Sequence, residues 1–219
     1  IRNLTASEIL EQVYAAGRDS GERISHIVMM GIGEPLDNYE NVLRFLELVS
    51  APEGLNLSHR HISLSTCGLV DKIYDLADRN LQLTLSISLH ATTDGTRGEI
   101  MPVNRRWPIA ELLKACRHYT DATHRRISYE YALIAGVNDS REQAEELAAL
   151  LKGSLCHVNL IPVNYVKEAG YRQSGRAQIY AFQKVLCSRG VNATVRRTLG
   201  ADINAACGQL RREAENGQT

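Results

Sequence analysis

The first residue of this sequence that could do chemistry is a cysteine flanked by small residues. Cys207 lies in "VRRTLGADINAACGQL" (195–210), between alanines and a glycine. Small neighbours leave a thiol approachable, although a free cysteine is often only a small buried hydrophobe. The stretch predicts a β-strand over 195–198, then a glycine turn and the start of a short helix.

A second group of candidate functional residues follows the apolar runs that predict β-strands. Its members are Gly31, Gly33, Glu34, Ser65, Ser88, His90 and Asn164. Glycine lets a ligand approach the backbone, a glutamate can bind an amine, and serine or asparagine can orient a carboxylate or a ribose. Together these groups suit a zwitterionic, sugar-bearing ligand, of which S-adenosylmethionine (SAM) is one.

Each residue of this second group also has a purely structural interpretation. Glu34 and Ser65 can cap the helices that follow them. His90 can be a hydrogen-bonded structural histidine, and Asn164 can be a turn residue. The functional interpretation gains weight only if the residues converge on one side of the fold.

The elements that must position these residues alternate between strand and helix. Strands are predicted at 26–33, 61–68, 81–90, 126–136, 157–164 and 192–198, and helices at 5–17, 38–50, 69–80, 108–120, 140–153 and 175–190. A longer loop containing Pro102 follows the third strand. Such alternation without hairpin turns is typical of βα units with parallel strands, and strands apolar almost throughout predict a sheet covered on both faces.

The sequence therefore predicts one α/β domain over 1–219, built as a parallel barrel or partial barrel. An open doubly wound sheet is the alternative. In both architectures ligands bind beyond the carboxyl ends of the strands, so we expect the candidate residues to share one rim.

Composition restricts the function classes. The chain has 25 Lys and Arg and 25 Asp and Glu, so its net charge gives no support for nucleic-acid binding. Arginine pairs at 105–106, 125–126 and 196–197 would form a phosphate-binding surface if they gathered on the rim side. The five cysteines are widely spaced, which predicts a cytoplasmic protein without a disulfide framework, and no apolar stretch is long enough to cross a bilayer.

Five motifs together resemble one known family. "GIGEP" (31–35), "STCG" (65–68), "SISLHA" (86–91), "IPVN" (161–164) and "RRTLGADINAACGQL" (196–210) resemble, in this order, the RlmN-type radical-SAM methyltransferases. That family methylates carbon-2 of an adenine in 23S rRNA and in certain tRNAs. The resemblance implies a radical-SAM partial barrel of about six βα units, with SAM bound on its rim.

The resemblance also implies roles for individual residues. Gly33 and Glu34 would contact the methionyl amino group of SAM. The rest of the SAM site would be Ser65, Ser88, Leu89, His90 and Asn164. Cys207 matches the methyl-carrying cysteine of the family, which is methylated by one SAM and loses a hydrogen atom to the radical formed from a second SAM. The carbon radical adds to the adenine, and a disulfide to another cysteine frees the product.

The family's CxxxCxxC motif, which holds a 4Fe-4S cluster, is absent from this sequence. In the family it lies upstream of the segment matching "RNLTASEIL", together with a first strand, the resolving cysteine and an accessory RNA-binding domain. We therefore expect a truncated core domain that holds no metal ligands and is inactive alone. Cys67, where many relatives have serine, is interpreted as a tolerated small residue.

The implied partners are 23S rRNA, tRNA and an electron donor such as flavodoxin, and a monomer is expected. Three alternatives remain at this point. A Cfr-type enzyme would methylate carbon-8 of the adenine, and a remnant would bind SAM or RNA without catalysis. An unrelated barrel enzyme would need a glycine-rich phosphate loop after a late strand.

Overall fold

Six parallel strands form the centre of the fold and follow one another across the sheet in chain order. The computed structural model describes residues 2–30, 32–163 and 170–196. Its strands are β1 (Ile27–Met29), β2 (Ile62–Thr66), β3 (Thr84–Ser88), β4 (Ile127–Leu133), β5 (Cys156–Pro162) and β6 (Ala193–Val195). Each lies within a predicted strand or begins one residue before it.

Seven α-helices accompany these strands within the described part of the chain, the first of them before β1 and the others between successive strands. They are α1 (Ala6–Ser20), α2 (Tyr39–Ser50), α3 (Val70–Asp78), α4 (Asp94–Ile100), α5 (Ile109–Thr123), α6 (Arg141–Leu151) and α7 (Arg176–Ser188). A capping box formed by Thr5 and Glu8 begins α1. This helix continues through Gly17 and ends at Gly21, whose φ of 67° is left-handed.

The strand order decides between the two predicted architectures. Crossovers between parallel strands are right-handed, so a sheet that always adds the next strand on the same side carries all its helices on one face. A doubly wound sheet reverses direction, which this sheet does not do. The partial barrel is confirmed, and the doubly wound alternative is wrong.

The two faces of the sheet differ, which corrects the prediction of strands that are apolar on both faces. In β2, Ile62 and Leu64 are fully buried, whereas Ser63 and Ser65, which alternate with them, are only half-buried. The alternation of apolar and polar residues repeats in register across β3, β4 and β5, where the polar residues Ser86 and Glu130 are themselves buried. We call the face opposite the helices the polar face; it carries Ser63, Ser65, Ser86, Ser88, Ser128, Glu130, His157 and Asn159.

The loop predicted after β3 contains the helix α4. Its N-cap is Thr93, whose hydroxyl accepts a hydrogen bond from the backbone N–H of Thr96. The helix is short, yet it holds Arg97, whose side chain is fully buried at 0% exposure. A buried arginine in a segment predicted to be a loop indicates a structural function for that segment.

Candidate functional site

Gly33 and Glu34 follow β1 and form the first part of the rim. Gly33 has a φ of 98°, a conformation that other residues rarely adopt, and the space where a Cβ would lie is open. The Glu34 carboxylate accepts hydrogen bonds from the backbone N–H of Leu36 at 3.0 Å and of Cys67 at 2.7 Å. Glu34 therefore caps the short helix after it, as its structural interpretation predicted, and also connects the ends of β1 and β2.

The turn after β2 is held by backbone and side-chain contacts. The Thr66 hydroxyl accepts a hydrogen bond from the Gly68 N–H at 3.0 Å. Gly68 has a φ of 104°, and a Cβ on it would lie 2.8 Å from a methyl carbon of Leu112. Ser65 is not the N-cap of α3, which is Leu69. The side chain of Ser65 instead lies on the polar face, opposite Ser86 of β3.

Cys67 in this turn has an unreactive thiol. Burial, followed by the nearby negative charge of Glu34, raises the pKa of the Cys67 thiol to about 12. A thiol that stays protonated at neutral pH is a poor nucleophile. This agrees with the interpretation of Cys67 as a tolerated small residue.

The segment 88–90 at the end of β3 has an unusual backbone. His90 has a φ of 59°, which is left-handed, and its Nδ1 accepts a hydrogen bond from the Ala132 N–H at 3.0 Å. Burial, then the charge of Arg97, lowers the pKa of His90 to about 4. The imidazole is therefore neutral with its proton on Nε2. The hydrogen bond at Nδ1 confirms the prediction of a hydrogen-bonded structural histidine. The Nε2–H group remains available as a hydrogen-bond donor.

Leu89 takes part in this segment through its backbone. Its side chain is fully buried, its N–H donates to the Glu130 carbonyl at 3.1 Å, and its carbonyl accepts from Arg97 Nε at 3.1 Å. A ligand contact from Leu89 would have to use the remaining lone pair of that carbonyl.

Arg97 was not identified from the sequence, although it organises the rim. Its guanidinium donates to the carbonyl oxygens of Cys67 at 2.7 Å, Ser88 at 3.0 Å and Leu89 at 3.1 Å, and to Asn104 Oδ1 at 2.9 Å. These bonds fasten the end of β2 to the end of β3. Burial lowers the pKa of Arg97, but a guanidinium remains charged, so a positive charge lies beneath the rim.

Asn138, which follows β4, joins the ends of β3 and β4 in the way that Arg97 joins the ends of β2 and β3. Its side chain is fully buried, and Nδ2 donates at 2.7 Å to the carbonyls of both His90 and Ala132. Its Oδ1 accepts from the Ile134 N–H at 2.7 Å. With these bonds Asn138 holds the left-handed His90 in place.

Three of the candidate residues lie outside the described residues: Gly31, Asn164 and Cys207. The described candidates Gly33, Glu34, Ser65, Ser88, Leu89 and His90 lie at the carboxyl ends of β1, β2 and β3. Their predicted convergence on one rim is therefore seen over three neighbouring strands.

The arginine pairs do not all gather on that rim. Arg105 and Arg106 precede α5 and follow β3, and Arg196 follows β6, so these residues lie at the carboxyl-end side of the sheet. Arg125 and Arg126 precede β4, and Arg125 bonds to Leu83 and Thr84 at the opposite end. The condition for a shared phosphate-binding surface, that the pairs gather on the rim side, is therefore not met by the pair 125–126.

Neither a metal site nor a membrane span is found where the structure describes the chain. No group of three or more His, Cys, Asp or Glu side chains there is placed to hold a metal ion. No helix in the same part combines the length and the apolar character needed to cross a bilayer.

Comparison with known proteins finds relatives that all point to the radical SAM proteins. The profile of the Radical SAM superfamily matches residues 1–151. A Clostridium botulinum protein named "Probable dual-specificity RNA methyltransferase RlmN" is 57% identical over 212 residues, which are 97% of this chain and 61% of that protein. A Clostridium perfringens protein of the same name is 58% identical with the same coverage. The chain thus spans 61% of the length of these curated relatives.

Solved structures agree with these relatives. A radical SAM methyltransferase from Sphaerobacter thermophilus superimposes with a TM-score of 0.91 at 49% identity, covering 95% of this chain and 62% of that one. Streptococcus suis SuiB bound to S-adenosylmethionine has a TM-score of 0.65 at 15% identity, covering 90% of this chain and 44% of that one, and shows the fold alone. The chain belongs to the radical SAM superfamily and, within it, to the RlmN-type family.

Proposed function

We propose that this chain forms the SAM-binding core of a radical-SAM RNA methyltransferase. The target is carbon-2 of an adenine in 23S rRNA and in certain tRNAs, and Cys207 carries the methyl group. The observation that supports this most directly is the rim itself. Glu34, Ser65 and the segment 88–90 lie at the carboxyl ends of three neighbouring strands, which are joined by Arg97 and by the Glu34 carboxylate.

The donor set at this rim fits SAM. Each Glu34 oxygen accepts one backbone hydrogen bond and retains a lone pair for an ammonium group. The open space at Gly33 admits a ligand close to the backbone. Ser65 and Ser88 present hydroxyls on the polar face, and neutral His90 offers Nε2–H. We assign the completion of the site to Asn164.

Bound SAM supplies the methyl group and, after reductive cleavage, the radical in this family. The residues of this chain bind and orient it. Arg97 and Asn138 hold the carbonyls of residues 88–90 in a fixed arrangement before any ligand arrives, which reduces the ordering cost of binding. The thiol of Cys207 is the proposed acceptor of the methyl group.

The 4Fe-4S cluster of the family does not fit the residues of this chain. The sequence has no CxxxCxxC motif, and the described side chains form no metal-binding group. We assign no residue here to the cluster, and reduction by a donor such as flavodoxin is part of the proposal for the complete protein.

RNA binding is proposed for the carboxyl-end side of the sheet. Arg105, Arg106 and Arg196 lie on that side, where they can contact phosphates flanking the target base. Arg106 also lies over the Trp107 ring, 4.3 Å from its centroid.

The test uses the complete protein and its Cys207→Ala variant, each incubated with SAM, a reductant and 23S rRNA fragments. We expect the variant to lose methyl transfer to RNA while it binds SAM within about twofold of the unaltered protein, because the proposed SAM contacts are made by other residues. Cys187→Ala, which changes an exposed cysteine on α7, is the matched control and should methylate normally.

The products separate the alternatives. A nucleoside digest containing 2-methyladenosine supports the proposal, and 8-methyladenosine would identify a Cfr-type enzyme instead. Loss of SAM binding in Cys207→Ala would mean that the cysteine has a structural role. SAM binding without any RNA methylation would favour a binding remnant.

A further inference from the structure

The segments that enter the six strands carry positive charge that the site described so far does not use. They are the connections between each strand and the helix before it: 21–26, 51–61, 79–83, 124–126, 152–155 and 189–192. We call the surface that they form, at the end of the sheet opposite the rim, the amino-end surface. It has two carboxylates, Glu22 and Glu53, and seven cations, in a chain whose net charge is zero. The cations are Arg23, Arg60, Arg79, Arg125, Arg126, Lys152 and Arg189.

Most of these cations have no counter-ion within the part of the chain that the structure describes. Of the seven, Arg189 alone forms an ion pair there, with Glu145 at 3.7 Å. Arg60, Arg126 and Lys152 are exposed on three different strand entries. Positive side chains that are exposed and not neutralised by neighbours produce a local field that attracts anions.

The helix dipoles explain only part of this charge. A cation at the carboxyl end of a helix is stabilised by the carbonyl groups there, and Lys152 follows the last residue of α6 in this way. The dipole acts only near the last turn. Arg60 lies ten residues after Ser50, where α2 ends, so no helix end accounts for it. Arg126 lies beyond the left-handed C-cap of α5 and directly precedes β4.

The amino-end surface has a concave part. A cleft of about 540 Å³ lies between the carboxyl ends of α5 and α6, and its lining includes two cations, Arg117 and Lys152, and one carboxylate, Asp121. Arg126 lies close to the start of β5, since burial and then the charge of Arg126 lower the pKa of His157 there. Cations from two neighbouring strand entries therefore lie on the same side of the molecule as the cleft.

This surface is distant from the proposed SAM site. β4 and β5 have seven residues each, so about 20 Å separates the two ends of the sheet. A ligand of the size of SAM cannot contact both ends, whereas a folded RNA can. Six of the seven cations are arginines, whose planar guanidinium matches the oxygens of a phosphate group.

We propose that the amino-end surface binds the phosphate backbone of the RNA substrate at a distance from the target adenine. This inference rests on the proposed function. Contacts to phosphates carry no sequence information, but they strengthen binding and fix the orientation of the nucleic acid. The pair Arg125 and Arg126, which does not lie on the rim, thereby gains a function. Only an RNA long enough to reach past the sheet benefits from this surface.

The test measures binding of the complete protein to two RNAs, a long fragment of 23S rRNA and a minimal hairpin that carries the target adenine. The triple variant Arg60→Gln, Arg126→Gln and Lys152→Gln removes three exposed charges and changes no proposed SAM residue. We expect it to bind the long fragment about tenfold more weakly at about 0.1 M salt. The slope of log K against log salt should become less steep by about 2–3, since each lost phosphate contact changes it by roughly 0.7–0.9. Binding and methylation of the hairpin should stay within about twofold of the unaltered protein.

The matched control changes the net charge equally at other exposed positions. It is the triple variant Arg44→Gln, Lys114→Gln and Lys184→Gln, on α2, α5 and α7. Both RNAs should bind it with the affinity and salt dependence of the unaltered protein. If the amino-end variant does not fold, Arg126→Gln replaces it, and the slope for the long fragment should then change by roughly 0.7–0.9.

The outcomes are distinguishable. An amino-end variant that binds the long fragment as its control does overturns the inference, and so does an equal loss of affinity for the fragment and the hairpin. Loss of binding to phosphatidylserine vesicles with unchanged RNA binding would assign the surface to a membrane instead. If the unaltered protein does not methylate the hairpin, the proposed function fails, while the salt dependence of fragment binding still decides the inference.

Discussion

The two faces of the central sheet are built from the same strands and differ completely in chemistry. On the face toward the helices, Leu64, Leu85 and Ile87 are fully buried among apolar side chains. On the polar face, the residues named above carry hydroxyls, a carboxyl group, an amide and an imidazole. The comparison separates two functions, because apolar burial stabilises the fold whereas the polar groups are available to a ligand.

A second difference lies in how the rim is held. Glu34, which connects β1 to β2, is partly exposed, whereas Arg97 and Asn138, which hold the ends of β2, β3 and β4, are fully buried. Buried hydrogen bonds are more costly to break, since the abandoned partners cannot bond to water. The segment 88–90 is thus the more rigidly supported part of the proposed site.

The largest effect is expected on the helix-covered face. Leu64→Ala removes a fully buried side chain from the core and should lower the free energy of unfolding by about 3–5 kcal/mol. Urea unfolding followed by circular dichroism measures this loss. A loss below about 1 kcal/mol would show that this face is not the main source of stability.

A somewhat smaller effect is expected from Arg97→Met, which keeps a long side chain but removes every donor. The carbonyls of Cys67, Ser88 and Leu89 would lose a buried partner, so the free energy of unfolding should fall by about 2–4 kcal/mol. SAM affinity should fall as well. Arg106→Met is the control, because Arg106 is exposed, and it should change stability by less than about 0.5 kcal/mol.

His90 predicts a pH dependence of intermediate size. Its pKa is about 4 in the folded protein and about 6.5 in an unfolded chain, so the unfolded state binds more protons between these values. Stability contributed by neutral His90 is therefore present above pH 6.5 and is lost as the pH falls toward 4, by about 2–3 kcal/mol.

His90→Asn removes this titration while keeping an acceptor and tolerating the left-handed backbone. Urea unfolding at pH 7 and pH 4.5 should show a weaker pH dependence in the variant than in the unaltered protein. His124→Asn is a matched control, since His124 is exposed and also left-handed, with a φ of 54°. Equal pH dependence in His90→Asn and the unaltered protein would contradict the burial of this imidazole.

The smallest effect on stability is expected from Ser65→Ala, one residue from Leu64 but on the polar face. Its free energy of unfolding should change by less than about 0.5 kcal/mol, while SAM affinity falls severalfold. Ser63→Ala, on the same face and further from the rim, should leave both quantities unchanged. A large stability loss in Ser65→Ala would remove the distinction between the two faces.

Much of the fold could be predicted from the sequence. Thr5 with Glu8 and Ser140 with Gln143 form capping boxes, and local signals of this kind placed the starts of α1 and α6. Helix α4 was missed because Gly95 and Gly98 lower its intrinsic helix propensity. The buried hydrogen bonds of Arg97 contribute the stability that this propensity lacks.

The polar face also has a signal in the sequence, which apolar runs alone do not reveal. Serine or another polar residue occupies every second position in "SLS" (63–65), "SIS" (86–88) and "SYE" (128–130). Period-two alternation in neighbouring strands indicates faces of different chemistry. The position of the pair 125–126 was also open to prediction, because a pair that precedes a parallel strand lies opposite the carboxyl ends.

By itself, then, the sequence determined the order of the strands and of every described helix except α4, the motifs at the strand ends and the family resemblance, because these depend on local pattern and residue type. Only the tertiary structure decided which groups meet. Asn138 bonds to His90 across 48 residues, Arg97 bonds to Cys67 across 30, and Glu130 bonds to Asn159 across 29. Such pairs depend on sheet register and on burial, which exist only once the strands have come together.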